Sequence, residues 1–155
     1  MKKIVKFLIS IFIPLIIGFL GSFFTSSSVN TWFTTINKPS FNPPSFLFAP
    51  VWTTLYILIG LSFYLVWEKN FGKEKQKVIG VYSLQLFLNL LWSLLFFGLQ
   101  NPLLGLINII VLWLVILANI ILFFRVSKKA SYLLVPYLLW VSFATILNFS
   151  IFILN

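Results

Sequence analysis

Five apolar stretches, each of membrane-crossing length, leave this chain few folds to choose from. They occupy roughly residues 4–24, 49–67, 78–97, 103–124 and 131–154, each close to the ~20 residues a helix needs to cross a hydrocarbon core. The chain therefore reads as an all-α integral membrane protein. Its fold is expected to be a single transmembrane domain over residues 1–155, a five-helix bundle with a long, partly helical first loop at 25–48 acting as a lid.

Charge sets the orientation. Lys2, Lys3, Lys6, Lys69, Lys73, Lys75, Lys77, Arg125, Lys128 and Lys129 all fall on the amino-terminal side of the membrane, and only Lys38 falls on the other. By the positive-inside rule the amino terminus and the second and fourth loops face the cytoplasm, while the lid loop and the carboxyl terminus lie outside. The net charge of +9 is spread over short juxtamembrane clusters, which suit topology and anionic lipid rather than nucleic acid.

Composition excludes much chemistry. With no Cys and no His, and with Met only at position 1, the chain has no disulfide, no thiolate or imidazole metal ligand and no nucleophile–histidine pair. The two acidic residues, Glu68 and Glu74, both lie in the second loop, so no metal site or carboxylate pair for acid–base work is expected. Nor does any ionisable residue sit deep in a span, which argues against ion- or proton-coupled transport. The spans instead carry aromatic rings with scattered amides and hydroxyls, a composition suited to a large, flat, mainly apolar ligand.

Met1-Lys2-Lys3 before an apolar run imitates a secretory signal, but the run reaches Phe24 and Ser26-Ser27-Ser28 is a weak cleavage site, so an uncleaved first span is expected. Within it Ser10, Pro14, Gly18 and Ser22 recur every four residues, a small-residue stripe for close helix packing either inside the bundle or against a second protomer. The second, third and fourth loops are short and should join antiparallel neighbours. In the lid loop, Val29, Trp32, Phe33 and Ile36 have amphipathic helical spacing behind Ser27 or Ser28 as N-cap, and Pro39 ends that helix. Such a helix closes the bundle mouth, the preferred reading, or lies on lipid.

Depth arithmetic gathers a site beneath the lid. Trp52 and Tyr56 occupy the outer turns of the second span; Gln85, Asn89 and Trp92 share a face of the third, and Trp140, Ala144 and Asn148 a face of the fifth. Amides facing lipid would lack partners, so Gln85, Asn89 and Asn148 should point inward, to bond one another or a ligand. Trp67 reads as an interfacial anchor and Trp113 as a lipid or packing contact, whereas Trp32, Trp52, Trp92 and Trp140 read as a shared pocket.

These residues resemble a known pattern. Trp32-Phe33, Lys38-Pro39-Ser40-Phe41-Asn42-Pro43-Pro44, Pro50-Val51-Trp52-Thr53-Thr54-Leu55-Tyr56, Gln85 through Asn89 with Trp92-Ser93, and Pro136-Tyr137 through Trp140 with Phe143-Ala144-Thr145 and Leu147-Asn148 follow, in order, the translocator protein family, also called tryptophan-rich sensory proteins or peripheral-type benzodiazepine receptors. The resemblance implies a five-helix bundle whose first loop closes a ligand cavity, binding of protoporphyrin IX and of benzodiazepine-receptor ligands, and homodimerisation. For bacterial members it also implies degradation of protoporphyrin with light and oxygen.

On that reading Trp52 and Trp140 contact the macrocycle and take part in its photochemistry, with Gln85, Asn89 or Asn148 at a polar edge. Such a porphyrin would bind without axial coordination by His, Cys or an internal Met. A carrier or sensor that binds tetrapyrrole or lipid without chemistry is the alternative. Two departures stand out. Phe41 and Phe46 occupy positions where the family often has Trp, and Phe149-Ser150-Ile151-Phe152-Ile153-Leu154-Asn155 lacks the Tyr and cation of the sterol-recognition pattern of animal members. Ten Lys to one Arg suits a bacterial plasma membrane.

Overall fold

Hydropathy dictates long helices, and the computed structural model, which describes all 155 residues, contains helices and no strands. Helix α1 spans Lys3–Ser28, and a single turn, α2, Trp32–Thr35. A 3₁₀ turn at Ser45–Leu47 leads into α3, Phe48–Glu68. Helix α4, Lys75–Ser93, runs into a π-helical turn at Leu94–Gly98; α5 covers Pro102–Phe124, and the last span is split into α6, Lys128–Leu133, and α7, Val135–Leu154. Five of the resulting segments are long and apolar enough to cross a membrane.

Local chemistry explains the breaks. Asn101 caps α5 by accepting from the Leu104 amide at 3.0 Å, with Pro102 at the first helical position, where its missing N–H costs nothing. Ser127 caps α6 in the same way through the Ala130 amide. The fifth span, expected as one helix, is interrupted at Leu134 because Pro136 has no N–H to return to the Tyr132 carbonyl.

The spans pack as a ring in which α1 lies between α3 and α4, α5 beside α4, and α6–α7 between α5 and α3. Two of the three short connections join neighbours, as expected. The second does not: α3 and α4 are consecutive, yet each packs its backbone on other helices. Rings bridge the space between them, Phe63 stacking on Tyr82 with centroids 4.4 Å apart. The loop between them turns through left-handed backbone at Asn70, Phe71 and Gly72, and returns Phe71 onto Phe63 and Trp67.

The small-residue stripe packs inside the bundle from Ser10 to Gly18, whereas Ser22 is exposed. Pro14 cannot donate to the Ser10 carbonyl, and that carbonyl lies against Gly60 of α3, where a methyl group would sit 2.5 Å from its oxygen. Gly18, one turn pair further along, lies flat against the Tyr56 ring. Cross-helix hydrogen bonds add to this packing: Asn108 Nδ2 donates to the Leu88 carbonyl (2.9 Å), Ser62 Oγ to the Ala130 carbonyl (2.7 Å) and Trp113 Nε1 to Ser142 Oγ (2.7 Å). Each such bond between membrane helices contributes on the order of 0.6 kcal/mol, with a maximum near ~1.7 kcal/mol. Trp113 is thus a packing residue between α5 and α7. Trp67 stacks on Phe71 and holds the Lys6 ammonium 5.9 Å from its ring centre, at the end of the bundle opposite the lid.

Loop one closes the other end. Its helix is shorter than the amphipathic spacing suggested, and Ser27 and Ser28 do not cap it; both lie in the last turn of α1, where Ser27 Oγ bonds back to the Phe24 carbonyl and Ser28 Oγ reaches the Phe97 carbonyl. That last turn continues because a serine in α1 can satisfy a carbonyl of the preceding turn or of a neighbouring helix as readily as it can start a new helix. Phe33 is buried among Phe48, Phe96 and Phe97. Lys38, the single cation of this end, folds back so that Nζ donates to the Phe33 and Ile36 carbonyls at 2.6 and 3.2 Å.

Candidate ligand-binding cavity

Beneath that lid lies a cavity of about 500 Å³, within the range of small-molecule sites. Its walls come from α1, α3, α4, the π turn and α7, and none of the residues lining it is charged. Of the residues singled out from sequence, Trp52, Tyr56, Asn89, Trp92, Trp140, Ala144 and Asn148 line it. The helices that carry them enter from three sides, so tertiary packing unites residues up to 96 positions apart.

Two expected members stand elsewhere. Trp32 lies outside the cavity, edge to face on Phe96 with centroids 5.6 Å apart, because the one-turn helix α2 points Phe33 inward in its place. Gln85 is fully buried but one turn below the cavity, where its side-chain oxygen accepts from the Tyr137 hydroxyl at 2.9 Å. The helical face was read correctly; the extra turn of depth puts Gln85 under the floor.

That floor is a chain of hydrogen bonds. The Tyr56 hydroxyl donates to Asn89 Oδ1 (2.8 Å), Asn89 Nδ2 donates to the Tyr137 oxygen (2.8 Å), and the Tyr137 hydroxyl donates to Gln85. Three helices, α3, α4 and α7, are thereby joined at one depth. Tyr137 holds the centre of this chain and sequence reasoning assigned it no role, although it shares the helical face of Trp140, Ala144 and Asn148. Phe33 and Phe143 were likewise missed as cavity residues, as was the wall supplied by α1 through Ser22, Thr25 and Ser26.

The two amides that line the cavity, Asn89 and Asn148, brace protein instead of presenting free donors. Asn148 Oδ1 accepts from Trp92 Nε1 at 3.0 Å while its Nδ2 donates to the Pro102 carbonyl at 2.9 Å, so both ends are engaged. Both ends of Asn89 are engaged as well. The indole of Trp140 differs: its Nε1 is buried and has no partner in the protein. A buried N–H in that state needs an acceptor, and leaving one unmet costs about 1–3 kcal/mol. The remaining surface is aromatic. Trp52 stacks on Tyr56 (5.7 Å, 28° between planes) and meets Tyr137 edge to face, while Trp140 lies against Phe143 with centroids 5.4 Å apart.

Such a site can bind a flat apolar molecule between tyrosine and tryptophan rings that can give up electrons. It contains no carboxylate, imidazole or thiol for acid–base or nucleophilic work. The model of the TspO/MBR family matches residues 10–154, nearly the whole chain. The chain belongs to the TspO/MBR family. Among relatives, the tryptophan-rich protein TspO of Archaeoglobus fulgidus is 51% identical over 153 residues, covering 99% of both chains. The translocator protein of Homo sapiens is 36% identical over 135 residues, 86% of this chain and 80% of that one. The tryptophan-rich sensory protein of Cereibacter sphaeroides is 36% identical over 124 residues, covering 80% of this chain and 77% of its own. As a TspO/MBR protein with five membrane-length apolar helices, the chain is a multi-pass membrane protein.

Proposed function

We propose that this TspO/MBR protein binds protoporphyrin IX in the cavity beneath its lid and promotes its oxidative degradation in light. The observation that carries the reading is an uncharged cavity of about 500 Å³ walled by the rings of Trp52, Tyr56, Trp92, Trp140 and Phe143. A porphyrin supplies the complement, a broad π-face for Trp52 and Trp140. Light and oxygen are the co-reactants: the excited macrocycle generates the oxidant, and the two indoles donate electrons that direct its fate. Receptor ligands of the benzodiazepine type, also apolar and aromatic, suit the same walls.

The proposed setting is a bacterial plasma membrane, with the amino terminus cytoplasmic and the lid outside, on the strength of the lysine distribution. A second reading draws on the relatives named translocator and sensory proteins: a carrier or sensor that binds tetrapyrrole without altering it. Illumination separates the two. Purified protein mixed with protoporphyrin IX should bleach it to a defined product faster than free porphyrin or an unrelated membrane protein does; bleaching at the free rate selects the carrier or sensor.

A further inference from the structure

The cavity is closed at the lid and open at the side. At the lid, Phe33 is buried among rings, and loop one is fastened to the carboxyl-terminal turn: the Asn37 amide donates to Asn155 Oδ1 (3.0 Å), Asn37 Nδ2 donates to the Leu154 carbonyl (3.2 Å), and Asn155 Nδ2 donates back to the Asn37 carbonyl (2.8 Å). These bonds clasp the middle of the loop to the last helix from both partners. A ligand coming from above must undo the clasp and the ring cluster together.

The seam between α1 and α3 differs along its length. It is tight where the Ser10 carbonyl meets Gly60 and still in contact where Gly18 meets the Tyr56 ring at cavity depth. Phe19, Ser22 and Ser26 of α1, with Ser45, Ala49 and Thr53 across from them, line the cavity and are also exposed on the outer surface of the bundle. No lining residue of α4 or α7 is exposed in this way. The flanking surface, Leu20, Phe23 and Ile57, is exposed and apolar, and the part of the seam at Phe19, Ser22 and Thr53 lies inside the two apolar spans, so its outer surface meets hydrocarbon.

We propose that the α1–α3 seam is a lateral portal through which a planar apolar ligand dissolved in the bilayer passes into the cavity while the lid stays shut. The occupant follows from continuity and chemistry: the opening runs from hydrocarbon to an aromatic cavity, carries no charge, and is edged by the small residues Ser22, Ser26 and Thr53, with the Ser22 and Ser26 hydroxyls bonded to the Phe19 and Phe23 carbonyls of their own helix. The identity of the ligand as a porphyrin rests on the function proposed above; the portal itself does not.

Its test uses the absence of native cysteine. In one variant, Asn37→Cys with Asn155→Cys, oxidation locks the lid. In another, Ser26→Cys with Ala49→Cys, a short bis-maleimide bridges the seam, and the single variants capped with N-ethylmaleimide serve as controls. Each protein is placed in liposomes, and uptake of protoporphyrin IX preloaded in the lipid is followed by quenching of tryptophan fluorescence. Locking the lid should leave the uptake rate within about twofold of the parent, whereas bridging the seam should slow it by about tenfold or more, with final occupancy unchanged in both.

Uptake halted by the locked lid, or unaffected by the bridged seam, would overturn the portal. If the parent takes up no protoporphyrin IX at equilibrium, the porphyrin reading fails, and the same rate comparison with pyrene, a planar apolar probe that dissolves in bilayers, decides the portal alone.

Discussion

Asn89 accepts a 2.8 Å hydrogen bond from the Tyr56 hydroxyl, joining α4 to α3 at the floor of the cavity, where the two consecutive spans do not pack backbone to backbone. The same amide donates to Tyr137, so one side chain ties three helices. Replacing it with leucine of similar size strands the buried Tyr56 hydroxyl and removes the donor to the Tyr137 oxygen. Asn89→Leu should destabilise the protein by about 1–3 kcal/mol, read as a lower midpoint of thermal unfolding in detergent. Tyr56→Phe should cost less, since it removes only the first bond of the chain.

Close approach of α1 and α3 depends on the missing side chain of Gly60. A valine there must displace the Ser10 backbone, which cannot rotate out of the way as a side chain would. Gly60→Val should cost about 1–3 kcal/mol through overpacking, while Gly80→Val, at a position with open space around it, should unfold at nearly the parental temperature.

The two indoles facing the cavity can be separated into binding and chemistry. Phenylalanine keeps most apolar area but removes the N–H and is much harder to oxidise. Trp52→Phe and Trp140→Phe should each weaken protoporphyrin binding by no more than the ~0.5–1.5 kcal/mol of one hydrogen bond. Both should lose most of the protein-directed bleaching. Trp113→Phe, which gives up only its bond to Ser142, should lower stability and leave the photochemistry at the parental rate. Unchanged rate and product in both cavity variants would make the indoles walls only.

Orientation is open to labelling in intact cells. Ser27, at the lid end of α1, and Gln76, at the start of α4, are both exposed and lie at opposite ends of the bundle. An impermeant maleimide added outside should modify Ser27→Cys and spare Gln76→Cys until the cells are opened. The reverse pattern would invert the proposed topology.

By itself the sequence determined the five membrane segments, because hydrocarbon tolerates only backbone that bonds within its own segment and the apolar runs are long enough to do so. It also determined which face of each helix turns inward: Asn89, Trp92, Trp140, Ala144 and Asn148 share cavity-facing stripes because amides are costly against lipid and the helical period places them together. The packing of the Ser10–Gly18 stripe against α3, however, was one of two open readings until the helices were assembled.

Tertiary structure alone decided depth and partnership. Gln85 lies on the expected face yet under the floor, since helical period gives an angle about the axis but no registry between neighbouring helices. Trp32 and Phe33 exchanged roles because a single turn, too short to hold an amphipathic stripe, takes its direction from the Phe96–Phe97 surface it lands on. Tyr137 became central only when the break before Pro136 aimed it at Asn89 from another helix. Membrane helices are specified one at a time by local hydropathy, whereas a cavity between them depends on tilts and contacts that involve residues far apart in the chain.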